Sequence, residues 1–70
     1  MGSAAAQMMR LKADARVAIK RRYPTQKAKL TMDKDPSRTE HYYVESPDGL
    51  ILAGPFVHLT DLIIAMEAPR

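Results

Sequence analysis

The chain has no cysteine and no tryptophan, and its 70 residues include only one phenylalanine and three glycines. Without cysteine there is no disulfide framework and no thiolate metal site, which excludes the staples that hold many small secreted domains together. The glycines, Gly2, Gly49 and Gly54, are too scattered for a phosphate-cradling loop, and no nucleophile elbow is present. Long hydrophobic runs are missing as well. The longest in the second half, Leu62 to Met66, falls far short of the roughly 20 residues that cross a bilayer, so no membrane partner is expected. The opening Met1-Gly2-Ser3-Ala4-Ala5-Ala6 lacks the apolar length of a signal peptide and the Ser or Thr that myristoylation requires. Residues 1–6 read as a frayed end or a cloning remnant, and the expected compartment is the cytoplasm.

What remains is an ordinary globular composition, 46% hydrophobic and 27% charged, which favours a folded chain. At 7.8 kDa there is room for one small domain, residues 1–70, near the lower size limit for folding alone. Self-association is a reasonable expectation. Charge is distributed unevenly: residues 1–38 carry ten Lys or Arg against three Asp, whereas residues 39–70 carry Arg70 against five acids. The first half is basic and the second acidic.

From about Ala4 to Arg22 the chain is rich in Ala, Met, Leu, Lys and Arg, all good helix formers. Met8, Leu11, Ala15, Ala18 and Ile19 recur at helical spacing and form the face expected to pack on a core. Pro24 ends the helix, with Lys20, Arg21 and Arg22 in the last turn, where the helix dipole favours cations. Ala28 to Met32 alternates apolar with polar and predicts a half-buried strand, with Ala28, Leu30 and Met32 on one face. The charged, proline-interrupted stretch Asp33 to Arg38 predicts a loop. Thr39 to Val44 predicts a second strand and Leu50 to Ala53 a third.

Between the last two strands, Ser46-Pro47-Asp48-Gly49 predicts a hairpin turn in which Gly49 takes a positive φ and closes a G1 bulge. With Ser46 paired to Leu50, Val44 would face Leu52 and Tyr43 would face Ala53, making Tyr42, Val44, Leu50 and Leu52 the inner face. Gly54-Pro55 reads as a strand break, followed by a helix within Val57 to Glu67. Thr60 as N-cap with Asp61 in the first turn is one start. An earlier start, burying Leu59, Leu62, Ile63 and Met66, is the other. The expected fold is α+β, a three-stranded antiparallel sheet flanked by an N-terminal and a C-terminal helix (α-β-β-β-α).

The most informative feature is the first helix. Lys12, Arg16 and Lys20 form an i, i+4, i+8 ladder of like charge that repels itself. Arg10, Arg21 and Arg22 occupy other parts of the helix, and Lys27 and Lys29 follow it. A polyanion would relieve the repulsion and release counterions, so these eight residues are the candidate nucleic-acid contacts, made through phosphates. A solvated face, or neutralisation by the acidic half of this chain or of a twin, explains the same charges without nucleic acid. Tyr42, Tyr43, His41 and Phe56 offer base-stacking platforms, but the strands carry no arginine, and core packing accounts better for the aromatic residues.

Surplus apolar groups give a second reading. If one sheet face packs on the helices, Tyr43, Ile51 and Ala53 remain on the other, with Ile64, Ala65 and Ala68 on the exposed side of the last helix. Tyr43, Ile51, Ile64 and Ala68 are the candidate homodimer interface. The alternative is that the helices cover both faces within one monomer. The alternative function is a protein-protein adaptor or inhibitor acting as a homodimer, with the basic helix or the apolar surface near Ile64 set against an acidic or apolar protein partner.

Leu50-Ile51-Leu52-Ala53-Gly54-Pro55-Phe56, followed by a short loop and helix, is similar to the last strand and helix of three-stranded-sheet DNA-binding domains, including those of plant ethylene-response factors and phage-integrase arms. The similarity covers about a quarter of the chain and implies architecture alone, because the basic and aromatic strand residues that touch DNA there are missing here. Catalysis is not expected. His58 and Asp61 share a helical spacing that suits a metal or an acid-base pair, but no further ligand lies near them in sequence. No cofactor is implied.

Overall fold

A computed structural model describes residues 4–69. Helix α1 spans Ala4–Arg22, strands β1, β2 and β3 span Lys29–Lys34, Glu40–Glu45 and Ile51–Phe56, and helix α2 spans Leu59–Glu67. The strands form an open antiparallel sheet in the order β1-β2-β3. This is the α-β-β-β-α arrangement that the periodicity predicts. Of residues 1–6, Ala4 to Ala6 form the first turn of α1, and 1–3 lie outside the described residues.

Both helices lie on one face of the sheet, α1 against β1 and α2 against β2 and β3, and they pack on each other. The core between the layers consists of Ala15, Ala18 and Ile19 from α1, Tyr42 and Val44 from β2, and Leu59, Leu62 and Met66 from α2. Small residues at positions 15 and 18 let the helices approach closely. Asp14 and Val17 lie beside Ile63, while Arg21 and Arg22 lie beside Met66 and Glu67, so the helices run in the same sense. Their C-termini share one end of the molecule. Among the described residues no helix covers the other sheet face, which carries Tyr43 and Glu45, so the two helices do not cover both faces of one monomer.

The turn between β2 and β3 forms as its residues predict. Gly49 N–H donates to Ser46 O at 3.0 Å, Ser46 N–H donates to Leu50 O at 2.8 Å, and Gly49 has φ 87°. Beyond it the predicted register fails. Glu45 faces Ile51, but Val44 faces Ala53 and Tyr42 faces Phe56, with an irregularity at each step. Each of the two bulges adds one residue to β3, and each extra residue shifts the pairing by one. Leu52 and Ala53 therefore both pack at the core margin, and Phe56 is carried inward to join them. Leu50, expected inside, is 65% exposed at the hairpin turn.

Gly54-Pro55 does not break β3. It is a cis peptide inside the strand, with Gly54 at φ 117° absorbing the second bulge. Met8 and Met32, expected on buried faces, are exposed, although Met32 pairs with the buried Tyr42. The start of α2 follows the earlier alternative. His58 is the N-cap, its carbonyl accepting the N–H groups of Asp61 and Leu62, and Thr60 sits inside the helix. Leu59, Leu62 and Met66 form the buried stripe, and burying that stripe favours starting the helix at Leu59 over a side-chain cap from Thr60.

Candidate nucleic-acid interface

Pro24 prevents α1 from continuing, and the chain turns back through Tyr23 to Lys27, with Gln26 N–H donating to Tyr23 O at 3.4 Å. Lys27 completes the reversal in the left-handed region at φ 51°, a conformation uncommon for a long side chain. The residues entering β1 then run beside the last turns of α1. Between them lies a cleft of about 360 Å³. Tyr23, Pro24, Ala28 and Leu30 give it an apolar floor over the buried Ile19, and Arg16, Lys20 and Lys27 supply its cations. Lys29 borders it, but its side chain projects with Glu45 to the sheet face away from the helices.

Among the described residues no carboxylate lines this cleft, and none of its three cations is in an ion pair. Arg16 and Lys20 belong to the repelling ladder of α1, and the turn at Pro24 adds Lys27 to the same site. Positive charge is thus concentrated over an apolar surface, while Lys29, a predicted contact, stands opposite Glu45 on the other sheet face.

The fold divides the eight predicted contacts. Lys12 lies on the same flank of α1 one turn before Arg16, outside the cleft. Arg10 is exposed on the opposite flank, and Arg21 lines a shallow groove with Asp14 and Glu67. Arg22 is engaged within the fold: its Nη1 donates to the Ala68 carbonyl at 2.9 Å. Sequence reasoning missed Tyr23 and Pro24 as site residues, reading them only as a helix terminus. An aromatic residue directly after a basic last turn is the signal that would have found them.

The interface residues are also separated. Ile51 is exposed on the open sheet face and Tyr43 is half-buried there, covering Gly54. Ala53, assigned to that face from the simple register, instead pairs with Val44 and packs at the core. Ile64 is 66% exposed on the side of α2 turned away from the sheet, and Ala68 follows that helix. Ala65 packs at the core margin.

Another polar cluster stabilises the β1–β2 loop. Asp35 Oδ1 accepts from Ser37 N–H at 3.0 Å, Ser37 Oγ at 2.6 Å and Thr39 N–H at 3.0 Å. The Ser37 hydroxyl bond chiefly, and then the Thr39 and Ser37 amides, hold the Asp35 carboxyl below its ordinary pKa, with His41 adding a small attraction. On β2, burial and then the bond from Tyr42 Oη to Glu40 Oε2 at 3.1 Å raise the Tyr42 pKa. His58 and Asp61 are exposed, and among the described residues no three His, Asp or Glu side chains converge to hold a metal. Among the described residues no helix is long and apolar enough to cross a membrane. Neither a family model, nor a curated protein, nor a solved structure matches the chain.

Proposed function

We propose that this chain is a small non-catalytic binding protein that contacts nucleic acid through phosphates held by Arg16, Lys20 and Lys27. The observation that carries the reading is the cleft where these three cations meet with no lining carboxylate among the described residues. Phosphates would replace condensed counterions there, and their release drives binding. A regulatory role in the cytoplasm belongs to the same proposal. Anisotropy of a labelled mixed-sequence oligonucleotide across a salt series tests it. The logarithm of affinity should fall linearly with the logarithm of salt, and Lys20→Gln should reduce the slope by about 0.7–0.9, one phosphate contact. Absence of binding to DNA and RNA at low salt refutes the reading.

A homodimer is the second reading, and the open sheet face favours it. Ile51 and the partly exposed Tyr43 offer an apolar strip to a second copy.

A further inference from the structure

We infer that the cleft takes a single-stranded nucleic acid with one base inserted over the Tyr23 side, so that unstacked strands are preferred to duplex. The inference rests on the nucleic-acid reading above and adds to it the chemistry of the cleft floor. A site that bound phosphates alone would need only cations on an exposed surface. Here Arg16, Lys20 and Lys27 border an apolar hollow of about 360 Å³, whose floor includes Leu30 and the half-buried Tyr23. A hollow of that size is at the small end of ligand sites and suits a nucleoside-sized group.

Tyr23 is suited to act as a stacking platform. It follows α1, its N–H is anchored to Ile19 O at 2.9 Å, and it packs against the core while also lining the cleft. Its hydroxyl makes no hydrogen bond among the described residues, so its polar end is available to a ligand. A ligand satisfying this site carries an apolar planar part within a few ångströms of negative charge. An unpaired nucleotide has that composition, whereas a base in a duplex is already stacked and cannot enter. An acidic peptide would match the cations but supplies no planar group beside each charge.

The experiment compares intact protein binding to oligothymidine, to an abasic strand of equal length and to a duplex, at one low salt concentration. Oligothymidine should bind tightest, and Tyr23→Leu should weaken it about 5- to 150-fold while leaving the abasic strand unchanged. Tyr23→Phe should retain stacking. If Tyr23→Leu does not fold by circular dichroism, quenching of 2-aminopurine in a strand bound to the unmodified protein gives the same answer, and unchanged emission on binding overturns base insertion. Equal affinity for all three ligands, with Lys20→Gln weakening each of them, overturns base insertion and retains the phosphate reading. No binding to any of them overturns both.

Discussion

Gly54 lies where a side chain has no room. A Cβ there would fall 2.8 Å from Tyr42 O and 3.2 Å from Tyr43 Cα, and φ is already 117°. Backbone atoms cannot yield as a flexible side chain can, so Gly54→Ala should destabilise the chain by about 1–3 kcal/mol in urea unfolding. Lys27 presents the opposite situation, with a large side chain at φ 51° on an exposed turn. Lys27→Gly should relieve backbone strain and stabilise the fold by about 0.5–1 kcal/mol, yet weaken nucleic-acid binding. Stability and affinity moving in opposite directions would mark Lys27 as retained for its charge. Tyr42 links pH to stability. Because its pKa is raised in the fold, the unfolded chain ionises first as pH rises above about 10, and stability should fall from there through the raised value. Ultraviolet titration of tyrosinate should show one late component that shifts earlier in Glu40→Gln.

At the scale of elements, the contact between the helix ends carries the clearest prediction. Helix α2 has no basic residue in its last turn, so its terminal carbonyls lack a cation of their own. Parallel packing places Arg22 of α1 beside them, and the bond to Ala68 O supplies that charge. Arg22→Met should keep most of the packing, lose about 0.5–1.5 kcal/mol in thermal unfolding, and leave the salt slope of oligonucleotide binding unchanged. A reduced slope would return Arg22 to the phosphate-binding set. The β1–β2 loop depends on one carboxylate in a similar way. The depressed pKa of Asp35 means its contribution is complete above the ordinary aspartate value of about 3.9 and is lost as pH falls through that value and then the depressed one. Amide exchange at Ser37 and Thr39 should accelerate in Asp35→Ala.

At the scale of the molecule, a radius of gyration of 12.3 Å exceeds the roughly 11 Å expected for a chain of this length. The accessible surface, 5345 Å², also exceeds the roughly 4,400 Å² expected at this mass. Residues 4–10 of α1, all exposed, contribute to the excess, and so does Ile51 on the open sheet face. A second copy on that face would reduce it. Sedimentation should show a mass that rises with concentration, and Ile51→Glu should abolish the rise. If Ile64→Glu abolishes it instead, the dimer uses the far side of α2, since the two residues lie on opposite surfaces. A constant 7.8 kDa refutes the dimer.

The sequence by itself determined what short-range interactions decide. Helical spacing and Pro24 define α1, and Pro47-Asp48-Gly49 shapes the β2–β3 turn within a few bonds. Strand pattern places Tyr42 and Val44 inside. Only the tertiary structure decided the rest. The β3 bulges, which carry Phe56 to the core, exist because that strand must follow the helix layer, and a period of two contains no sign of them. The division of the basic residues is likewise a long-range outcome. Their charge is written in the chain, but whether a cation faces the cleft or a neighbouring helix end depends on how α1 meets β1 and α2.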